Sequence, residues 1–310
     1  MTDTNSGIRL IVFADDWGRH PSSCQHLIRE LLPRYPTLWV NTFGMRRPGW
    51  SREDLQKAAQ RLRQWTVPTH VTAAAANLRI ATPVMWPGFR RPWQRALNRR
   101  LMVGAVHRAL RTSVPRAAER RVVITTLPIT AALVGRLDVD AWIYYCTDHY
   151  SAWPGLDGDV LADMEHELVR RVDRIVAVSP ALQERVSSMG RHALLLSHGV
   201  DVGHWGWLSG NGQRSAPAAS ALPTWWSQLR HPIVLFWGLI GTQLDIEWVR
   251  ALQDSASAGT FVLVGPAQAH DPALERIAGV VIPGAVAYES LPLLAAHADV
   301  LAMPYADLPL

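Results

Sequence analysis

Asp148 and His149 stand side by side just after Trp142-Ile143-Tyr144-Tyr145-Cys146, a short aromatic and β-branched run. Such a run suits a buried strand. In an open parallel sheet, ligands bind beyond the carboxyl ends of the strands. An Asp-His pair at such an end can hold a substrate hydroxyl, act as a base or stabilise a developing charge. A bland role also fits these residue types, with Asp148 capping a loop and His149 packing on Trp153. The strand-end position favours the functional role.

The elements that must position the pair follow in order. Pro154, Gly155 and Gly158 make Ser151 to Gly158 a loop. Asp159 is the expected N-cap of a helix whose inner face is Leu161, Met164, Leu168 and Val172. Asp159, Asp163, Glu165 and Glu167 fill its first half, and Arg170, Arg171 and Arg174 lie at its end. The helix macrodipole favours that order of charge. Ile175 to Val178 is a second buried strand. Ser179 is placed to cap the next helix, with Pro180 at its first position.

Strands and helices alternate through the rest of the first 202 residues. Ile8–Phe13, Leu38–Asn41, Leu78–Thr82, Val122–Thr126 and Ala193–Leu196 read as further strands. Arg52–Trp65, Trp93–Arg111 and Ala131–Gly135 read as helical. A helix follows the first turn, capped by Ser22 or Ser23, with Leu27, Ile28, Leu31 and Leu32 facing inward. The alternation predicts a doubly wound α/β domain. Gly18 and Arg19 lie between its first strand and helix, where a glycine lets the backbone approach a phosphate or sugar. Residues 203–230 are rich in Gly, Ser, Ala and Pro without a sustained period, and read as an interdomain connection. Residues 231–310 read as a second α/β unit. Its strands Ile233–Trp237, Phe261–Val264 and Val280–Pro283 each run into a glycine, Gly238, Gly265 and Gly284. Leu244–Leu252 and Tyr288–His297 read as its helices and Val300–Met303 as its fourth strand. Three glycines in register at the ligand edge suit backbone contact with a nucleotide.

The aromatic strand, the Pro-Gly loop, the acidic helix, VDRIVAVSPALQ and SHGVD together resemble the GT-B glycosyltransferases. The likeness is to the retaining family 4 type that builds bacterial surface polysaccharides, including teichuronic-acid-type enzymes. FWGLIGTQLD, VLVGPA and IPGAVAYESLPLLAAHADVLAMPY resemble the family's donor domain. The resemblance implies two Rossmann-like domains, the second incomplete, an acceptor side at 1–202 and a donor side at 231–310. It implies a nucleotide sugar as substrate with no cofactor, and a glycan or lipid-linked acceptor. Asp148 and His149 would line the reaction centre. Gly18, Arg19, Gly238, Gly265 and Gly284 would lie at the donor diphosphate. His198 stands where the family has Asn. The family's later Glu-x7-Glu region and closing helix have no counterpart before Leu310, so a fragment or a truncated chain is expected. A nucleotide-sugar epimerase of the same architecture and a non-catalytic scaffold are the rival readings.

Composition and charge narrow the partners. The chain has 310 residues, 48% of them hydrophobic, and a net charge of +5. Trp86 to Arg121 holds ten arginines against one acidic residue, Glu119. Beside Trp86, Phe89 and Trp93, these suit an anionic membrane surface. Without a recognised nucleic-acid module, that charge does not point to DNA or RNA. Two cysteines, Cys24 and Cys146, give neither a disulfide framework nor a metal signature. The first apolar run is short and is interrupted by Asp15 and Asp16, so the expected location is cytoplasmic, peripheral at the inner face of the membrane. Asp138-Val139-Asp140 spells the Asp-x-Asp of metal-dependent transferases, but precedes a strand at the wrong edge of the sheet. No metal is expected.

Overall fold

The computed structural model describes residues 7–18, 22–42, 70–75, 77–111, 120–153, 155–205, 221–255, 259–268 and 270–307. The chain divides into two compact units, Met1–His198 and Gly199–Leu310.

Among the described residues, the first unit has eight strands. They are β1 (Ile8–Ala14), β2 (Thr37–Asn41), β3 (His70–Ala75), β4 (Leu78–Thr82), β5 (Arg120–Thr125), β6 (Ala141–Cys146), β7 (Arg174–Ala177) and β8 (Leu194–Leu195). They form one sheet in the order β3-β4-β2-β1-β5-β6-β7-β8. Every pairing is parallel except β3 with β4. The helices among the described residues are α1 (Ser23–Leu31), α2 (Pro92–Arg111), α3 (Gly158–Arg171) and α4 (Pro180–Ser188).

Alternation along the strands feeds a core on each face. Ile11 and Phe13 of β1 pack with Met102 and Val106 of α2 and with Leu161, Met164 and Leu168 of α3. Leu10, Val12 and Ala14 pack on the other face with Cys24 and Ile28 of α1 and with Trp39. Each fully buried large apolar side chain contributes about 1.5–3 kcal/mol. Helices therefore cover both faces, which requires near-continuous apolar strands of the kind seen in β1. Chain order reverses between β1 and β5, so the ligand edge lies beyond Ala14 and Thr125.

The second unit repeats the plan on a smaller scale. Strands β9 (Ile233–Trp237), β10 (Thr260–Val264), β11 (Val280–Gly284) and β12 (Val300–Leu301) are parallel, in the order β11-β10-β9-β12. Helix α5 (Ile246–Ser255) follows β9, and α6 (Leu291–His297) precedes β12. Phe236, Phe261 and Leu263 fill one face of the sheet with Val249 of α5. Leu235, Val262 and Val264 fill the other with Leu294 of α6 and Trp226.

Several boundaries differ from the sequence reading, each for a local reason. Helix α3 begins at Gly158 with Asp157 in the cap position, ahead of the expected Asp159. The Asp157 carboxylate makes no cap bond and instead takes both Nε and Nη2 of Arg90, at 3.1 and 2.7 Å. Helix α5 starts two residues late because Asp245 caps it, accepting from Trp248 N at 3.0 Å. The expected helix 288–297 is a 3-10 turn, Tyr288–Ser290, followed by α6. Pro292 is at home in the first turn of α6, where its missing N–H has no intrahelical partner to lose. The piece expected at 131–135 is a 3-10 helix at Pro128–Leu133. Strand β3 was missed because alanine-rich runs carry little strand signal. The expected helix Arg52–Trp65 lies outside the described residues. Of the expected connection 203–230, Thr224–Gln228 forms a 3-10 helix whose Trp226 is buried in the second unit.

Candidate functional site

Asp148 and His149 emerge at the carboxyl end of β6, on the ligand edge of the first sheet. Asp148 Oδ1 accepts from the His149 backbone N–H and from Trp153 Nε1, both at 2.8 Å. The aspartate therefore braces its own loop. Burial raises its carboxyl above the ordinary value, against the lowering effect of those two donors and of His149 and His198. His149 shifts the other way. Burial and then the Arg185 charge lower its imidazole, opposed by Glu165 and Asp148.

Beneath this loop runs a buried polar chain that the sequence reading did not single out. Glu165 of α3 is 1% exposed. Its Oε1 accepts from Tyr144 Oη at 2.8 Å and from Cys146 Sγ at 4.0 Å. Its Oε2 takes Arg185 Nη2 of α4 at 2.6 Å. Arg185 Nη2 also reaches Ser151 Oγ in the loop at 3.3 Å. A charge so deeply buried persists only when it is paired and hydrogen-bonded. The signal was present in the sequence. Glu165 lies four residues after Leu161 and three before Leu168, on the apolar face of its helix, where a solvated carboxylate does not belong.

Tyr150 ties this loop to the strand beside it through hydrogen bonds with Thr147 and Thr126, and its phenol is raised by burial. Thr126 follows β5 directly. At its base, Thr125 and Thr130 share a hydroxyl contact of 2.9 Å. Gly158 closes the loop from the other side. A Cβ there would lie 2.5 Å from the Ser151 carbonyl oxygen, so only glycine allows α3 to start so close.

Gly18 sits in the turn after β1, exposed, with no atom within 4 Å of where a Cβ would be. Its N–H donates to Gln25 Oε1 at 3.0 Å. The same buried Gln25 donates through Nε2 to Asp15 Oδ2 at 2.8 Å and to the Asp16 carbonyl at 3.2 Å. Any anion that used the Gly18 amide would replace the Gln25 oxygen. Arg19 lies outside the described residues.

In the second unit two of the three strand-end glycines use their N–H groups on neighbouring strand ends. Gly238 N–H donates to the Val264 carbonyl at 2.9 Å, and Gly265 N–H to the Gly284 carbonyl at 3.0 Å. These two amides are therefore spent on the sheet. A Cβ on Gly265 would lie 1.8 Å from the Gly238 oxygen, so Gly265 serves close packing. Gly284 differs, with open space around it and φ of 91°. Four aromatic rings gather at the same edge. Trp205 stacks on Trp237 at 5.7 Å, and His204 stacks on Tyr288 at 4.1 Å.

Asp138 and Asp140 occupy the opposite edge of the first sheet. Asp138 pairs with Arg121 Nη1 at 2.9 Å, and Asp140 accepts from the Arg121 N–H at 2.6 Å. Among the described residues, no group of three His, Cys, Asp or Glu side chains is placed to hold a metal ion.

No family model matches the sequence, and no curated protein matches it. Solved structures do match in fold. Anabaena HepE, in complex with UDP and glucose, superposes with a TM-score of 0.59 at 15% identity, over 97% of this chain and 76% of that one. The catalytic domain of Arabidopsis thaliana starch synthase IV, bound to ADP and acarbose, gives 0.56 at 10% identity, over 98% and 79%. Trehalose 6-phosphate synthase from Burkholderia multivorans gives 0.53 at 12%, over 93% and 75%. The chain has the GT-B fold. Its two α/β units, with sheets parallel but for the β3–β4 pair, are the Rossmann-like units of that fold, as the sequence predicted.

Proposed function

We propose that the chain is a glycosyltransferase that moves a sugar from a nucleotide-sugar donor to a glycan or lipid-linked acceptor of a bacterial surface polysaccharide. One observation carries this reading. An aspartate and a histidine stand at the ligand edge of a GT-B sheet on a loop braced from beneath, in a fold shared over 97% of the chain with a protein solved with UDP and glucose. Fold alone never fixes function, so the residues at the edge bear the weight.

The second unit takes the donor nucleotide. Gly284 offers an open strand end, and Trp205, Trp237 and Tyr288 offer ring faces beside it. The first unit takes the acceptor. Asp148 orients the acceptor hydroxyl, and His149, held neutral, hydrogen-bonds to the sugar without adding positive charge. The reaction is retaining and metal-independent, of the family 4 type. The bond from the anomeric carbon to the diphosphate breaks, and the acceptor oxygen bonds to that carbon on the same face. The acceptor proton passes to the departing phosphate oxygen, so no strong protein base is required. Backbone amides still free at the strand ends neutralise the departing charge, since the N–H of Gly238 and of Gly265 bond within the sheet and that of Gly18 bonds to Gln25.

The acceptor reading agrees with helix α2. Trp93, Arg100, Arg108 and Arg111 are exposed, and the helix has no acidic residue. Such a face suits an anionic membrane surface, with each near-surface charge contributing about 1 kcal/mol. No helix among the described residues is long and apolar enough to cross a membrane.

Radiolabelled UDP- and ADP-hexoses incubated with the purified chain and bacterial membrane extract test the reading. Label should enter the extract with its anomeric configuration kept. Release of an isomeric nucleotide sugar instead would identify an epimerase, and no reaction with any activated hexose would leave a scaffold.

A further inference from the structure

We propose that Glu165 and Arg185 are positioning residues that fix the 147–153 loop, and with it Asp148 and His149, a role that rests on the glycosyl-transfer reading for its purpose. The contacts run without a break from the sheet to the loop. Tyr144 and Cys146 belong to β6 and hold Glu165 Oε1. Glu165 Oε2 holds Arg185, and Arg185 holds Ser151 in the middle of the loop. Trp153, two residues on, returns its indole N–H to Asp148. Three elements, β6, α3 and α4, thus converge on one short loop.

An ion pair is a poor choice if stability is all that is needed. Well-packed apolar residues of the same volume serve as well or better at a buried site. What the pair supplies is direction. The guanidinium is planar and its donors are fixed, so the Glu165 carboxylate sets where Ser151 can be. The arrangement also acts on charge. Arg185 is the second cause, after burial, that lowers the His149 imidazole, while Glu165 and Asp148 oppose it. The two charges of the pair act on His149 in opposite directions, so the pair's hold on the site is mechanical, through Ser151 and Trp153, and it touches neither reacting atom.

Fluorine NMR on the full chain labelled with 5-fluorotryptophan tests the mechanical part without any substrate. Loss of one line in Trp153→Phe assigns Trp153. Arg185→Met and Ser151→Ala should each shift or broaden that line, while the lines of buried Trp39 and Trp142 hold their places. Arg185→Lys, which keeps a donor and a charge, should restore it in part. Ser151→Ala leaves the Glu165–Arg185 pair intact, so it carries the test if Arg185→Met does not fold. An unmoved Trp153 line in folded Ser151→Ala would overturn the proposal. In transfer from UDP-glucose, Arg185→Met should lower kcat by about ten-fold or more while the donor KM changes less than about two-fold. Equal loss in kcat and gain in KM would also overturn it. If the wild-type chain transfers no hexose at all, the glycosyl-transfer reading fails, and the Trp153 line still decides whether the pair holds the loop.

Discussion

Trp153 Nε1 lies 2.8 Å from Asp148 Oδ1, and this one bond separates two roles for the aspartate. If Asp148 only braces its loop, Asn is a fair replacement, since an amide oxygen accepts the same two hydrogen bonds. If Asp148 also orients an acceptor hydroxyl, the lost charge matters at the reaction. Asp148→Asn should therefore fold with a stability change under about 1 kcal/mol and lower sugar transfer by about 100-fold or more. Trp153→Phe should show the converse, a stability loss of about 1 kcal/mol and a smaller effect on turnover. Urea melts and transfer rates on the two variants decide. Full turnover per folded molecule in Asp148→Asn would remove it from the reaction centre.

The strand-end glycines of the second unit should respond very differently to alanine. Gly265→Ala places a methyl 1.8 Å from the Gly238 carbonyl oxygen, and backbone cannot swing away as a side chain can. Strain of this kind costs about 1–3 kcal/mol or more, so the second unit should lose cooperative unfolding at moderate temperature. Gly284→Ala meets nothing within 4 Å, and only its φ of 91° is unfavourable. That penalty is about 1–2 kcal/mol. Gly284→Ala should stay folded and lose affinity for UDP or ADP. Calorimetric melts beside nucleotide titration give both readouts. A folded Gly265→Ala chain with an undisturbed melt would contradict the packing role.

The order of elements was readable because apolar strands and capped helices leave strong local patterns. Ser22 and Ser179 both cap where their residue types indicate, accepting from Gln25 N and Leu182 N. Asp148 and His149 were visible as polar residues ending an aromatic strand. Glu165 and Arg185 were not, because what matters about them is a contact between residues 20 apart in sequence and on different helices. Only the phase of Glu165 on its helix hints at it. The glycines misled in part for the same reason. A run into glycine at a strand end looks alike whether the glycine faces a ligand, as Gly284 can, or a neighbouring carbonyl, as Gly265 does. Sequence carries no record of which amide is already taken, and at Gly18, Gly238 and Gly265 each one is.

Folding stability should depend on pH through Asp148 and His149 with opposite signs. Asp148 has a raised carboxyl. Its contribution is complete below the ordinary carboxylate range and is lost as pH rises through the folded value. His149 has a lowered imidazole. Its contribution is complete above the ordinary imidazole value and is lost as pH falls through the folded value. Asp148→Asn should therefore gain on the wild type as pH rises above about 4. His149→Gln should gain on it as pH falls from about 7 to 5. Denaturant midpoints at each pH check both. Difference curves flat across both windows would show that neither group titrates with folding.

The basic face of α2 should bring the chain to anionic lipid. Arg90 is engaged by Asp157 and Arg95 Nε by the Phe89 carbonyl, so the charges nearest the loop are partly committed to structure. Trp93, 48% exposed, and Arg100 and Arg111 project from the outer side of the helix. Asn98 anchors that helix to its approach, accepting from Trp86 N at 2.6 Å and donating to the Trp86 carbonyl at 3.0 Å. The backbone that carries the face is helical, which spares the backbone ordering that an unstructured basic tail would undergo on binding. Two near-surface charges contribute about 2 kcal/mol together, and the indole adds apolar area at the headgroup level. Vesicles with phosphatidylglycerol should pellet the chain at low salt, and 0.5 M salt, roughly five times the ionic strength at which the screening length is about 10 Å, should release it. Arg100→Gln with Arg111→Gln should weaken binding by about 30-fold without changing the melt. Trp93→Ala should weaken it at both salt concentrations, because apolar insertion is not screened. Equal pelleting of wild type and the double variant on anionic vesicles would place the membrane surface elsewhere.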